Sequence, residues 1–204
     1  MSVLRGLKKQ MVIAAAVTLW VPAVTFGIKV LLEYSTTPGH PAAPPPSWPA
    51  RAPIKRTEGL PTLLMFTHPQ CPCTNASLGE LAIIMAHAGG QLDAQVFVYL
   101  PAHEASKWSR TDLWRSASTI PGVRVFEDPD AVVAKSFGTF TSGQTLLYDA
   151  TGRLLFKGGI TASRGHSGDN DGRRVISALL RGEAPAQISV PIVTPVFGCS
   201  LRGE

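Results

Sequence analysis

Two thiols one residue apart stand beside an imidazole in His68-Pro69-Gln70-Cys71-Pro72-Cys73-Thr74. The thiolate, not the thiol, exchanges with disulfides. It is favoured where a helix begins, because free N–H groups and the helix dipole stabilise negative charge there. The run Leu63 to Thr67 is apolar and strand-like, and Leu78, Leu81, Ala82, Met85 and Ala88 then recur at helical spacing up to Gly89-Gly90. The cysteines therefore sit at a strand-to-helix seam, where Cys71 is the candidate nucleophile. Cys73 is its candidate partner. A C-x-C disulfide closes a very small ring, and Pro72 restricts that ring further, so the bond should be strained and oxidising. His68 can raise the thiolate content as a nearby cation or serve as a base. The plainer alternatives are a small buried cysteine and a loop histidine with a satisfied hydrogen bond.

The third cysteine, Cys199, lies in a proline-bearing tail (183–204). The stretch from Gly182 to Cys199 can extend to about 55 Å, against a domain radius of roughly 15 Å. Cys199 can thus reach the other two and resolve a mixed disulfide or a sulfenate on Cys71 or Cys73. Three thiols are too few for a disulfide-stapled scaffold, and the odd number permits exchange among them. The rival constellation is a metal site. Soft thiolates with an imidazole suit Cu(I) or Zn, so His68, Cys71 and Cys73, with Cys199 in reach, form the alternative copper-binding, metal-transfer set. A peroxidase working through Cys71 and a non-enzymatic binding module are further alternatives. No Gly-rich phosphate loop and no carboxylate pair in a catalytic context is present, so no organic cofactor is expected.

Positioning these groups requires a domain, and the chain supplies one with an anchor. Residues 11–32 are apolar except for Thr18, Thr25 and Lys29, long enough to span a bilayer. Arg5, Lys8 and Lys9 precede that run, which puts residues 1–10 in the cytoplasm and the remainder outside. The competing reading is a cleaved signal peptide. The net charge of +5 is concentrated in this N-terminal part. The folded part is nearly neutral and gives no reason to expect nucleic acid. Residues 33–53 are a Pro-rich linker, expected as an extended stalk.

The domain is expected over 54–182. Leu60 to Thr67 and Ala94 to Leu100 read as buried strands around the helix after the cysteines, a right-handed parallel crossover. Thr111 to Ile120 reads as a helix. Asp128-Pro129 reads as the N-cap and first residue of another, ended by Gly138. Gln144–Tyr148 and Arg153–Lys157 flank turn residues as a hairpin, and Asp171–Arg181 is the last helix. Arg164, His166, Asp169 and Asn170 follow the last strand. Asp169 or Asn170 can cap the next helix, Arg164 can orient an anion and His166 a proton.

Over about Ile54 to Gly182 this layout resembles the thioredoxin fold. The resemblance rests on the strand before Cys71, on Phe137-Gly138 and on the hairpin Thr145 to Leu154. His68 to Cys73, Gly158-Gly159-Ile160-Thr161, Arg164 to Asn170 and Val196-Phe197-Gly198-Cys199 look like the RedB-like branch of exported, membrane-anchored thiol proteins. It implies an α/β fold with a mixed central sheet flanked by helices, a thiol–disulfide oxidoreductase activity, and a protein or small-molecule thiol partner. It also implies that the Arg164–Asn170 loop borders the active-site face. Two departures stand out. Against the family's C-x-x-C, Cys71 falls on the first cysteine and Thr74 on the second. Gly143 stands where the family places a cis-proline facing the site. Pro72, Thr74, Gly143, Arg164 and His166 are thereby the expected rim. The whole reads as a single-pass bacterial inner-membrane protein with its domain in the periplasm.

Overall fold

The computed structural model describes residues 2–102, 108 and 110–202. They form two compact units that divide between Thr37 and Pro38.

The first unit is one helix, α1 (Ser2–Thr36), of 35 residues with Pro22 inside it. It is long and apolar enough to cross a membrane. Its hydroxyls do not oppose that. Thr18 donates to the Ala14 carbonyl and Thr25 to that of Val21, each one turn back, so neither donor needs water.

The second unit is a five-stranded sheet with helices on both faces. Its elements are β1 (Thr62–Thr67), α2 (Thr74–Ala88), β2 (Asp93–Leu100), α3 (Asp112–Ser118), β3 (Val123–Pro129), α4 (Val132–Ser136), β4 (Gln144–Tyr148), β5 (Leu154–Gly158) and α5 (Asp171–Leu180). The strand order is β3-β2-β1-β4-β5. β1 and β2 are parallel, as the crossover through α2 requires, with Leu63 opposite Ala94 and Phe66 opposite Phe97. β4 runs antiparallel to β1, and β5 antiparallel to β4. The continuous apolar run of β1 follows from its place, because all six residues are buried and both faces carry a core. Met65, Leu81, Ile84, Leu147 and Val175 fill the α2/α5 side. Phe66, Phe97, Phe137, Leu146 and Tyr148 fill the other.

The structure differs from the sequence reading at Asp128-Pro129. These residues end a strand, β3, that pairs in parallel with β2 from Ala94–Val123 to Leu100–Pro129. Asp128 still caps a helix, but from the strand's end. Its carboxylate accepts from the Val133 and Ala134 backbone N–H groups at 2.8 and 2.9 Å. Pro129 is tolerated because β3 is an edge strand.

The proline-rich segment, expected as a free stalk, is extended but lies along the domain from Pro38 onward. Trp48 packs edge-on against Phe137 and Tyr148, with ring centroids 5.0 and 5.3 Å apart. Prolines cannot donate, yet their carbonyls accept here. Tyr148 donates its hydroxyl to the Pro45 carbonyl at 3.0 Å, and Leu154 donates its N–H to that of Pro46 at 2.8 Å. This strap covers one end of the β5 edge through a bridge between Ser47 and Arg153.

The tail docks as well, and it covers the other end of β5 through Lys157 and Val193. Gly158 and Gly159 make the room. A Cβ on Gly158 would meet Thr194, and one on Gly159 would meet the backbone at Pro195 and Val196. Val196, Phe197 and Leu201 are buried. At about 1.5–3 kcal/mol for each fully buried apolar side chain, these three hold the tail as a fixed part of the fold.

Candidate active site

The turn that starts α2 begins at Cys71. Its N–H donates to the His68 carbonyl at 3.0 Å, and its own carbonyl accepts from Thr74 N–H at 3.2 Å. Cys73 is the N-cap residue and makes no side-chain cap. Cys71 therefore sits at the positive end of α2, as its sequence position implies.

Its surroundings come from three distant segments. Ser142, just before β4, accepts from the His68 backbone N–H at 2.8 Å, and its hydroxyl lies 2.7 Å from that of Thr74. The Thr74 and Ser142 hydroxyls both hydrogen-bond the Cys71 sulfur. The tail supplies the third partner. Ser142 N–H donates to the Cys199 carbonyl at 2.8 Å, and Thr141 bridges Ser200 antiparallel. That pairing sets Cys199 against Cys71, where both its thiol and its backbone N–H reach the sulfur.

The electrostatics separate the three thiols. Burial pushes the Cys71 thiol up, but hydrogen bonds from Thr74, Cys199 and Ser142 outweigh it and leave Cys71 below the ordinary value. Cys73 is raised, first by burial and then by the Cys71 charge, with Arg164 opposing. Cys199 is pushed up to about 12 by burial and by its hydrogen bond and proximity to Cys71. Cys71 is thus the thiol that ionises first.

The expected rim divides. Arg164 joins the site. It donates to the Gly198 carbonyl at 2.7 Å and hydrogen-bonds Cys73, so it ties the tail to the C-x-C turn. Gly143 adopts φ +88° and donates its N–H to the Phe66 carbonyl at 2.8 Å. Pro72 is exposed. His166 is exposed, its Nδ1 3.0 Å from the Arg164 carbonyl. Asn170 caps α5 by accepting from Arg173 N–H at 2.7 Å, and Asp169 pairs with Arg173. That loop is pinned by Glu80 of α2, buried and ion-paired with Arg173 at 2.9 Å while it accepts from Gly168 N–H at 2.7 Å.

His68 is disfavoured in the first of its two expected roles, that of a nearby cation. Burial lowers its pKa, so the ring is a poor cation. Its Nδ1 lies 3.2 Å from the Gln70 N–H that donates to it, and the ring faces Tyr99 and Trp108. The groups that lower Cys71 are hydroxyls and Cys199, not this imidazole. The seam does not expose Cys71. The residue is 2% exposed, because Ser142 and the docked tail cover it.

Ser142 was missed by the sequence reading. Its one signal was its place directly before Gly143, where the resembled fold turns toward the site. Among the described residues no group of three or more His, Cys, Asp and Glu side chains is arranged to hold a metal ion.

No family model matches the chain, and no curated protein does. Solved structures do. A hypothetical protein from Sinorhizobium meliloti 1021 superposes with a TM-score of 0.57 at 20% identity, over 82% of this chain and 94% of that one. An uncharacterized conserved protein from Geobacillus kaustophilus gives 0.56 at 17% identity, over 83% and 93%. A secreted Mycobacterium tuberculosis disulfide oxidoreductase, homologous to E. coli DsbE, matches more loosely. Its TM-score is 0.42 at 17% identity, over 61% of this chain and 83% of that one. The five-stranded mixed sheet flanked by helices is the α/β arrangement that the thioredoxin resemblance implies, and at these identities the likeness to solved structures concerns the fold alone.

Proposed function

We propose that this chain is a membrane-anchored thiol–disulfide oxidoreductase with Cys71 as its reactive thiol and Cys199 as the thiol that closes a disulfide on it. The observation that carries this reading is the cradle around the Cys71 sulfur. Thr74, Ser142 and Cys199 all hydrogen-bond it at the start of α2 and lower its pKa despite burial. Such a cradle stabilises a thiolate both as nucleophile and as leaving group. Both other thiols reach Cys71, but a Cys71–Cys73 disulfide would close a very small, strained ring, whereas Cys199 meets Cys71 with both its thiol and its backbone N–H, which favours Cys199 as the partner and narrows the C-x-C mechanism. Cys73 is also held beside Arg164.

The apolar length of α1, with Arg5, Lys8 and Lys9 before it, supports a single-pass anchor that puts the domain on the periplasmic side of a bacterial inner membrane. The similarity of the cysteine-bearing phrases to the RedB-like branch supports the same compartment. Partners are then protein or small-molecule thiols and disulfides. The copper alternative has less behind it, since the His68 ring is turned to Tyr99 and Trp108 rather than joined with the thiols in a donor set.

The test is oxidation of a reduced dithiol peptide by the oxidised full-length protein, followed by peptide mapping with thiols trapped. The reading requires a Cys71–Cys199 link in the oxidised protein and loss of exchange in Cys71→Ser. Exchange at the wild-type rate in Cys71→Ser would overturn it.

A further inference from the structure

Cys71 touches both other thiols, but a partner cannot meet the three equally. Cys71 is 2% exposed and Cys73 8%, whereas Cys199 is half-buried. The tail over Cys71 is firmly fixed. The Cys199 carbonyl is held by Ser142 N–H, the Gly198 carbonyl by Arg164 and the Val196 carbonyl by Gly39 N–H. Leu201 N–H donates to the Phe140 carbonyl, and the Leu201 side chain lies in the core. Uncovering Cys71 would break all of these together, so the approach that leaves the fold intact is through Cys199.

We propose that a partner's sulfur enters at Cys199 and that Cys71 serves as the internal leaving group. This rests on the oxidoreductase reading above and adds to it the sulfur that the partner meets. A thiolate of a protein or small-molecule dithiol attacks the Cys199 sulfur of the Cys71–Cys199 disulfide. The partner–Cys199 bond forms, the Cys71–Cys199 bond breaks, and its electron pair leaves on Cys71 as a thiolate. The partner's second thiolate then attacks the partner's first sulfur. The partner leaves as a disulfide, and Cys199 leaves and takes up a proton. Two electrons pass from dithiol to protein. The protein disulfide is regenerated by exchange with a more oxidising disulfide of a second partner.

The leaving group suits this direction. A disulfide breaks faster toward the sulfur with the lower pKa, and the hydroxyls of Thr74 and Ser142 await the charge on Cys71. The same cradle stabilises the reduced protein, which makes the disulfide oxidising.

The experiment uses the oxidised full-length protein in detergent, in a Cys73→Ser background, with glutathione as the probe. Limiting glutathione is added, exchange is stopped with acid after a short time, and tryptic peptides are mapped. The expected result is glutathione on the Cys199 peptide in at least tenfold excess over the Cys71 peptide. Glutathione mainly on the Cys71 peptide would overturn the entry point while leaving the oxidoreductase reading in place. Absence of both a Cys71–Cys199 disulfide and any glutathione adduct would overturn the two together.

Discussion

At the residue, burial and hydrogen bonding compete for Cys71, and the hydrogen bonds win. A hydrogen bond to a charged group contributes about 1.5–3 kcal/mol, and about 1.4 kcal/mol is a factor of ten in thiolate population. Removing the Ser142 hydroxyl should therefore cut the alkylation rate of Cys71 near neutral pH by about tenfold. Iodoacetamide kinetics on reduced Ser142→Ala, read at the Cys71 peptide by mass spectrometry, check this. An unchanged rate would mean that Thr74 and Cys199 suffice.

The same site makes stability depend on pH in two opposed ways. The folded pKa of Cys71 lies below its ordinary 9.0, so the unfolded chain holds more protons there, and stability rises with pH from the folded value to about 9. Cys199 is raised to about 12, so between 9 and 12 the folded state holds the extra proton and stability falls. Urea unfolding of the reduced protein, referenced to a Cys71→Ser, Cys199→Ser double variant, should peak near pH 9. A profile that only falls would show that Cys71 is not depressed. Cys71 and Cys73 were legible in the sequence because local spacing marks a strand-to-helix seam. Ser142 was not, because its role depends on a contact 68 residues from Thr74.

At the element, the tail is a short segment whose fit depends on glycine. A Cβ on Gly198 would collide with the Ser142 carbonyl, a backbone atom that cannot rotate away. Gly198→Ala should shift the tail off the Thr141–Ser142 edge and separate Cys199 from Cys71, at a cost of about 1–3 kcal/mol as for other overpacked sites. Two measurements check it. The variant should unfold at lower urea, and air or diamide oxidation should no longer form the Cys71–Cys199 disulfide quantitatively. Full disulfide formation with wild-type stability would mean that the tail reaches Cys71 in another way. The glycines in Gly158-Gly159 and Val196-Phe197-Gly198-Cys199 were visible in the sequence, and the structure gives their common reason. Each marks a close approach of the tail, at Gly158 and Gly159 to the end of the edge strand β5 and at Gly198 to the segment before β4. Cys199's reach could be computed beforehand, but its docking could not, since chain length permits a contact without selecting it. β3 was overlooked for a different reason. It is an edge strand with mixed burial, so Val123 to Pro129 lacks the unbroken apolar run that identified β1 and β2.

At the scale of the domain, the strap and the tail act on the same edge. β5 would otherwise expose unpaired backbone groups. The strap covers one end at Arg153 and the tail the other at Lys157, and the two segments meet where Gly39 N–H donates to the Val196 carbonyl at 2.8 Å. A proline-rich composition reads naturally as a spacer, because prolines supply no donors and fix an extended backbone. What composition conceals is that their carbonyls remain acceptors and that Trp48 carries a large apolar side chain into the midst of them. Truncating that ring should destabilise the domain by about 2–3 kcal/mol, less than the 3–5 kcal/mol of a fully buried tryptophan because Trp48 is only half-buried. Removing the whole strap should cost more, since the Tyr148 hydroxyl then loses Pro45 as its acceptor. It should also loosen the tail through the lost Gly39–Val196 bond. Urea midpoints should therefore fall in the order chain from 38, Trp48→Ala in that chain, chain from 54. Bulky maleimide reagents should modify Cys71 faster only in the last of these. Equal midpoints for the chains from 38 and 54 would return the strap to the role of a stalk and leave Cys199 held by the sheet alone.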